Sequence, residues 1–266
     1  MPRKVTGQKD PALTLLRELA GEEGRRRAGR FAAEGEEIVK RAFDFGGRVD
    51  ILILAERCAQ DPGSAELIER ARCAGAEIVT ATEGLLAKIL EAKPTPECIA
   101  IVERRTVPLA DILAAPRALV VMVEHGENAD NLGMLLRSAD AAGVDGVILA
   151  ADTTDPFARR VVRGSRGAVF TVPICIIHDP VRAIDEARQA GLQVVATSAR
   201  ADAPYTSIDF VKPTMVIVGN EHVGISDAVR ERSDAVAGIP MLGRINSLNI
   251  AVAGSIVLYE ALRQRA

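Results

Sequence analysis

Tryptophan is absent from this 266-residue chain, and aromatic residues make up only 3% of it. The core must therefore be filled by Val, Ile, Leu and Ala, which a hydrophobic content of 48% can supply. No apolar run approaches the roughly 20 residues that a membrane-spanning helix requires. The richest stretch, Ile250 to Leu262, is interrupted by Gly254 and Ser255. Met1 to Asp10 is polar and has no signal-peptide core, so the cytoplasm is the expected compartment. Cys58, Cys73, Cys98 and Cys175 are scattered with no CxxC pair. In a chain of this length they are expected as small buried hydrophobes rather than disulfides. The three histidines are dispersed, and no metal site is expected. Nor is there an excess of positive charge: 33 Lys and Arg face 36 Asp and Glu, for a net charge of −3. Coating nucleic acid by bulk charge is disfavoured, whereas a local basic patch stays open.

What is present is an α/β alternation in two parts. In the first, Pro11–Ala20 and Phe31–Phe45 have helical spacing, Val49–Ala55 reads as a buried strand, and Ser64–Ala74 as a helix stopping at Gly75. Glu77–Thr80 and Cys98–Glu103 read as strands around a helix over Glu83–Ala92. Residues 1–104 thus form a small α/β domain. Pro108 and Pro116 mark a linker over 105–116, with a short helical stretch at Leu109–Leu113. In residues 117–266, continuous apolar runs predict strands at Leu119–Val123, Gly146–Ala150, Val172–Ile177, Leu192–Thr197, Met215–Gly219 and Ala235–Ile239. Such runs suit a mainly parallel sheet covered on both faces. Helices are predicted over Leu132–Ala142, Pro156–Arg163, Pro180–Ala190, Asp227–Arg232 and Leu248–Arg265. Two begin with Asp-Pro, an N-cap followed by proline in the first turn.

Three segments could carry chemistry. In the first, Asn131-Leu132-Gly133 leads into a helix that carries Arg137, and both polar side chains could reach the end of the sheet where open α/β folds bind ligands. A capping asparagine and a solvated arginine would explain it equally well. In the second, a buried strand runs into Gly219-Asn220-Glu221-His222-Val223-Gly224, where glycines let backbone approach a ligand. It reads equally as an ordinary strand-to-helix turn. In the third, Ile239-Pro240-Met241 is followed by Ser247-Leu248-Asn249. Here Ser247 is the expected N-cap of the last helix, and the small residues Ala251 to Gly254 suggest close packing.

In this order the three segments resemble the SpoU family of RNA ribose methyltransferases, also called the TrmH family, within the SPOUT superfamily. The matching residues are Asn131, Gly133 and Arg137, then Gly219, Glu221 and Gly224, then Pro240, Ser247, Leu248 and Asn249. The resemblance covers roughly the last 150 residues. Arg30 to Gly35 resembles the Phe-x-x-Glu-Gly of the small RNA substrate-binding domain often fused to the family. Two departures stand out. Asn128-Ala129 replaces the family's Asp-Pro, and Ser165-Arg166-Gly167 fills a Ser-x-Gly step.

The resemblance implies an α/β methyltransferase domain with a deep trefoil knot, a homodimer whose site is completed across the interface, and S-adenosylmethionine as methyl donor. It implies that Thr197, Ser198, Gly219, Asn220, Glu221, Gly224, Ile239, Met241, Ser247, Leu248 and Asn249 hold the donor. Catalysis would fall to Arg137, with Asn131, Glu221, Ser247 and Asn249 orienting the reacting groups. A guanidinium stays protonated, so Arg137 is expected to stabilise a developing alkoxide at a ribose 2′-oxygen rather than to act as a base. His125 and His222 read as variable positions. Ribosomal RNA is the expected substrate, and transfer RNA the alternative. Arg159, Arg163 and Arg166 share helical spacing, with Arg160 beside them, and Arg25, Arg26, Arg27 and Arg30 form a second cluster. All eight are candidates for RNA phosphates. A catalytically silent RNA-binding or ribosome-assembly protein of the same fold is one rival. A Rossmann-type nucleotide enzyme is another, but the first strand of the second part is not followed by GxGxxG.

Overall fold

The computed structural model describes residues 2–91, 94–201, 203–220 and 223–266. The described residues divide into two compact units, Met1–Arg104 with Phe157–Phe170, and Arg105–Pro156 with Thr171–Ala266.

The first unit contains strands β1 (Arg3–Lys4), β2 (Arg30–Glu34), β3 (Val49–Ala55), β4 (Glu77–Ala81) and β5 (Cys98–Glu103). They form one sheet in the order β1-β4-β3-β5-β2. Its helices are α1 (Pro11–Glu18), α2 (Glu22–Ala28), α3 (Glu36–Asp44), α4 (Pro62–Cys73) and α5 (Glu83–Leu90). Ala92, the expected end of α5, lies outside the described residues. One expectation fails here. Phe31–Glu34 is a strand, not the start of a helix, because Phe31 and Ala33 alternate into the core and pair antiparallel with Val102 and Ala100. Gly35, at φ +92°, turns the chain into the helix proper. The Arg25–Arg27 run is itself helical. It ends at Gly29 in the left-handed conformation.

The second unit contains α6 (Leu109–Leu113), β6 (Leu119–Val123), α7 (Ala129–Ala141), β7 (Gly146–Ala150) and β8 (Ile174–Ile177). Then follow α9 (Pro180–Gln189), β9 (Gln193–Thr197), β10 (Ala203–Pro204), β11 (Thr214–Val218), α10 (Asp227–Arg232), β12 (Ala235–Gly238) and α11 (Ile250–Arg265). Helix α8 (Arg159–Gly164) belongs to the first unit. Among the described residues the second unit has one seven-stranded sheet, ordered β10-β12-β9-β11-β6-β7-β8, with every pairing parallel. β6 and β11 are buried at every residue, as strands covered on both faces must be. One face packs Val120, Met122, Val194 and Ile217 against Ala183, Ile184 and Ala187 of α9. On α11, a Cβ at Gly254 would come within 2.7 Å of Leu135 Cδ1 of α7, so any larger residue there requires Leu135 to shift. No helix among the described residues is long and apolar enough to cross a membrane.

Capping departs from expectation at two helices. Asn249, not Ser247, is the N-cap of α11, accepting hydrogen bonds from the N–H groups of Ala251 at 2.9 Å and Val252 at 3.4 Å. Asn128 caps α7, accepting from Asp130 and Asn131, so an asparagine side chain oxygen suffices where the family has aspartate. Asp179-Pro180 opens α9 as expected. Asp155-Pro156 does not open α8, whose N-cap position is Ala158.

The largest difference concerns 157–170. The sequence assigns this segment to the second part, but its side chains are taken up by the first unit. Phe31 meets Phe157 at 5.1 Å and Phe170 at 5.8 Å between ring centroids, and the Arg104 guanidinium lies 5.0 Å above Phe157. In a chain with so few aromatics, this cluster is the natural seat for the segment.

Candidate functional site

The C-terminal ends of β9, β11 and β12 and the first turn of α11 enclose a cavity of about 640 Å³. This is the end of a parallel sheet where ligands bind in open α/β folds, and the volume suits a cofactor-sized molecule. Thr197 and Ser198 line it after β9, Gly219, Asn220 and Gly224 after β11, and Ile239, Met241, Ser247 and Leu248 after β12. Segments distant in sequence thus form one wall. Glu221 and His222 lie outside the described residues.

The turn after β11 is tightly closed. Asn220 N–H donates to the Gly224 carbonyl at 3.1 Å, and Gly224 N–H returns a bond to Asn220 at 2.8 Å. A Cβ at Gly219 would lie 2.4 Å from Gly224 backbone atoms, which no side chain tolerates. Gly224 has φ +74°. These two glycines are thus demanded by backbone geometry.

Asn131 is 9% exposed, and its Oδ1 accepts from Asn249 Nδ2 at 2.8 Å. The first and third segments therefore meet side chain to side chain. A few turns away, Ser255 donates to Ser138 at 2.7 Å, continuing the seam between α7 and α11. Asn249 itself does not line the cavity, but its neighbours Leu248 and Ile250 do. Arg137 does not join them in the single chain. It is exposed, it is not part of the cavity wall, and it has no ion pair among the described residues. Asn131 is buried and Arg137 exposed, as helical geometry requires of residues on different faces. Six residues turn a helix through about 600°, leaving the two side chains some 120° apart.

Several cavity residues carry no sequence signal of their own. Arg200, Asp227, Arg230 and Asn246 line it, as do the apolar Val218, Ile225 and Ala253. Glu124 did carry a signal, a charge directly after the five apolar residues of β6. It is 3% exposed and bonds to Ser226. His125 is held by Asp152, at φ +57°.

The arginines expected to contact RNA are mostly engaged within the protein. Arg25 is buried at 5% exposure and donates to the Leu19 and Ala20 carbonyls, which makes it a structural residue. Arg26 pairs with Glu23, Arg27 with Glu18 and Arg30 with Asp50. Arg159 bonds to Glu34 and to the Leu90 carbonyl, and Arg166 to Glu37. Burial pushes the Glu34 carboxyl above its ordinary value, against the pull of Arg159 and Arg163. Arg160 and Arg163 are exposed. Among the cysteines, burial raises the Cys58 thiol to about 11 and Cys98 to about 12, which leaves both unreactive. Cys73 is exposed on α4, contrary to expectation. No group of side chains suited to hold a metal ion occurs among the described residues.

Residues 118–259 match the SpoU rRNA Methylase family. A 23S rRNA (uridine(2479)-2'-O)-methyltransferase of Streptomyces viridochromogenes is 33% identical, over 91% of this chain and 85% of its own length. A 23S rRNA (guanosine(2553)-2'-O)-methyltransferase of Bacillus subtilis is 28% identical, over 97% of this chain and 98% of its own. The AdoMet-bound crystal structure of an rRNA methyltransferase from Sinorhizobium meliloti superimposes with a TM-score of 0.89 at 32% identity, covering 99% of this chain and 98% of that one.

Proposed function

Because the chain belongs to the SpoU rRNA methylase family, we propose that it transfers a methyl group from S-adenosylmethionine to a ribose 2′-hydroxyl of ribosomal RNA. The observation that carries this is the cavity built from the ends of β9, β11 and β12, on a chain whose full-length relatives are named as 2′-O-methyltransferases of 23S rRNA.

The residues present fit the donor. Gly219 and Gly224 line the cavity as bare backbone, and a Cβ at Gly219 would collide with the Gly224 backbone. Val218, Ile239 and Leu248 offer apolar surface for a base, and Thr197, Ser198, Asn220 and Ser247 offer polar groups to orient it. Glu221, which lies outside the described residues, belongs to the same reading. When bound, the donor supplies an electrophilic methyl group next to a sulfonium. The Asn131–Asn249 bond fixes the start of α7 against the start of α11, and so sets the wall beside the acceptor sugar. The 2′-oxygen would form its bond to the methyl carbon as the carbon–sulfur bond breaks, its proton passing to water or an RNA phosphate, and Arg137 would stabilise the negative charge that develops on that oxygen.

Arg137 stands outside its own chain's cavity wall, so the reading includes a homodimer in which each Arg137 serves the partner's cavity. The seam of α7 and α11 supports this, because it leaves Met134, Val252 and Tyr259 about half exposed. Expected is a dimer in sedimentation equilibrium that Tyr259→Asp with Met134→Glu converts to a monomer, with loss of methyl transfer. A wild-type monomer that is fully active would remove the dimer from the mechanism. The trefoil knot belongs to the same reading. Its support is a sheet that inserts β11 between β9 and β6 and a last helix that packs on both α7 and β11. The first unit, with the exposed Arg160 and Arg163, is the RNA-recognising part, and the cytoplasm is where ribosomal RNA would be met.

The test is to map ribose methylation across total RNA with and without the gene. One 23S position should lose its mark and regain it on complementation. An unchanged map, or loss at a transfer RNA position alone, would overturn the substrate assignment. A silent protein of the same fold would bind RNA and fail to bind S-adenosylmethionine in calorimetry.

A further inference from the structure

Two turns that wall the cavity are fastened by a side chain outside it. The first residue after β6, Glu124, is 3% exposed, and neither the cavity wall nor the reaction sketched above uses it. Its Oε2 accepts from the Ser226 backbone N–H at 2.9 Å and its Oε1 from the Ser226 hydroxyl at 2.7 Å. Ser226 is in turn the N-cap of α10, its Oγ accepting from Val229 N–H at 3.3 Å. From α10, Arg230 Nη2 donates to Ser198 Oγ and to the Arg200 carbonyl, both at 3.0 Å. A continuous set of bonds therefore runs from the end of β6, through α10, to the turn after β9.

The other end of the glycine turn is tied to the next residue. His125, at φ +57°, presents its carbonyl to Asn220 Nδ2 at 2.9 Å. Left-handed backbone is costly for a histidine and persists only where surroundings hold it. Burying a carboxylate is costly as well unless its oxygens are bonded. Both unfavourable features fall on consecutive residues, and both hold the same turn.

We propose that Glu124 is a positioning residue for the donor cavity. It holds Ser226, and through α10 and Arg230 it sets the turn after β9 against the turn after β11. The inference rests on the reading of this cavity as the S-adenosylmethionine site. Glu124→Gln keeps the size but replaces one acceptor by an NH2 group facing the Ser226 donors. Ser226→Ala removes the hydroxyl from the other side.

The test combines S-adenosylmethionine calorimetry, initial rates on the RNA substrate, and ligand-free melting of the full chain. Glu124→Gln should raise the donor Kd about tenfold, equivalent to about 1.4 kcal/mol. The donor KM should rise with it, and kcat at saturating donor should stay within about threefold, as expected for lost uniform binding. Ser226→Ala should do the same, and the double variant should be no weaker than the weaker single, because both remove one interaction. Donor binding by Glu124→Gln within about twofold of wild type, a fall in kcat with KM unchanged, or multiplied effects in the double variant would overturn the proposal. If Glu124→Gln does not fold, Ser226→Ala decides by the same KM and kcat split. A wild-type chain that binds no S-adenosylmethionine would instead refute the function proposed above.

Discussion

Replacing Arg137 by alanine is expected to lower kcat for methyl transfer by about 100- to 1,000-fold, the usual cost of removing a group that stabilises transition-state charge. Donor affinity should stay within about twofold, because the charge that Arg137 is assigned to stabilise develops on the acceptor 2′-oxygen and is absent from the donor complex. Arg137 is exposed and has no ion pair among the described residues, so its loss breaks no ion pair there. That separates it from Arg25 or Arg159, whose replacement would leave buried partners unsatisfied. Arg137→Lys should recover little. A lysine keeps the charge and loses the planar array of donors. Tritiated-methyl transfer gives the rate, and calorimetry with S-adenosylmethionine gives the affinity. Near-normal turnover in Arg137→Ala would remove the residue from catalysis. A large loss of donor affinity would place it in the donor site instead.

Phe157→Ala should destabilise the first unit by about 3–5 kcal/mol, in the range for large-to-small changes at a buried aromatic. Phe157 is 2% exposed, packs against Phe31 and lies under the Arg104 guanidinium. The alanine leaves a cavity and strips one face of Phe31 of its cover. With so few aromatics in the chain, no large neighbour stands ready to fill the space. Denaturant unfolding should show the loss as an earlier transition, while donor affinity stays within about twofold, since the cavity belongs to the other unit. A fragment holding residues 1–104 alone should be at least as unstable. It lacks Phe157, Phe170 and the Arg159 partner of the half-buried Glu34. A stable, cooperative fragment would refute the assignment of 157–170 to this unit.

Much of the second unit was legible because its signals are local. Five-residue apolar runs mark β6, β7 and β11 within a residue or so, and Asp179-Pro180 announces α9 on its own. The three motif segments were legible as well: seven expected donor residues of the second and third line one cavity, together with Thr197 and Ser198 at the end of β9. Other readings failed for lack of a local signal. Arg30–Glu34 has residues compatible with either helix or strand, and pairing with β5, some 70 residues away, decides the matter. Ser247 and Asn249 are both good caps, and contact with Asn131 accompanies the choice of Asn249.

The arginines show the limit most plainly. Sequence spacing places Arg159 and Arg166 near one helical face, and nothing in that spacing reveals that Glu34 and Glu37 await them more than 120 residues earlier. The long buried strands, most helices, the family and the glycines of the turn after β11 could be read from the residues alone, since each follows from short-range sterics or from a local pattern of residues. Tertiary structure alone decided which loops share a wall, which unit receives 157–170, and which charges remain exposed. Those outcomes depend on partners far apart in the chain, and only packing brings them within bonding distance.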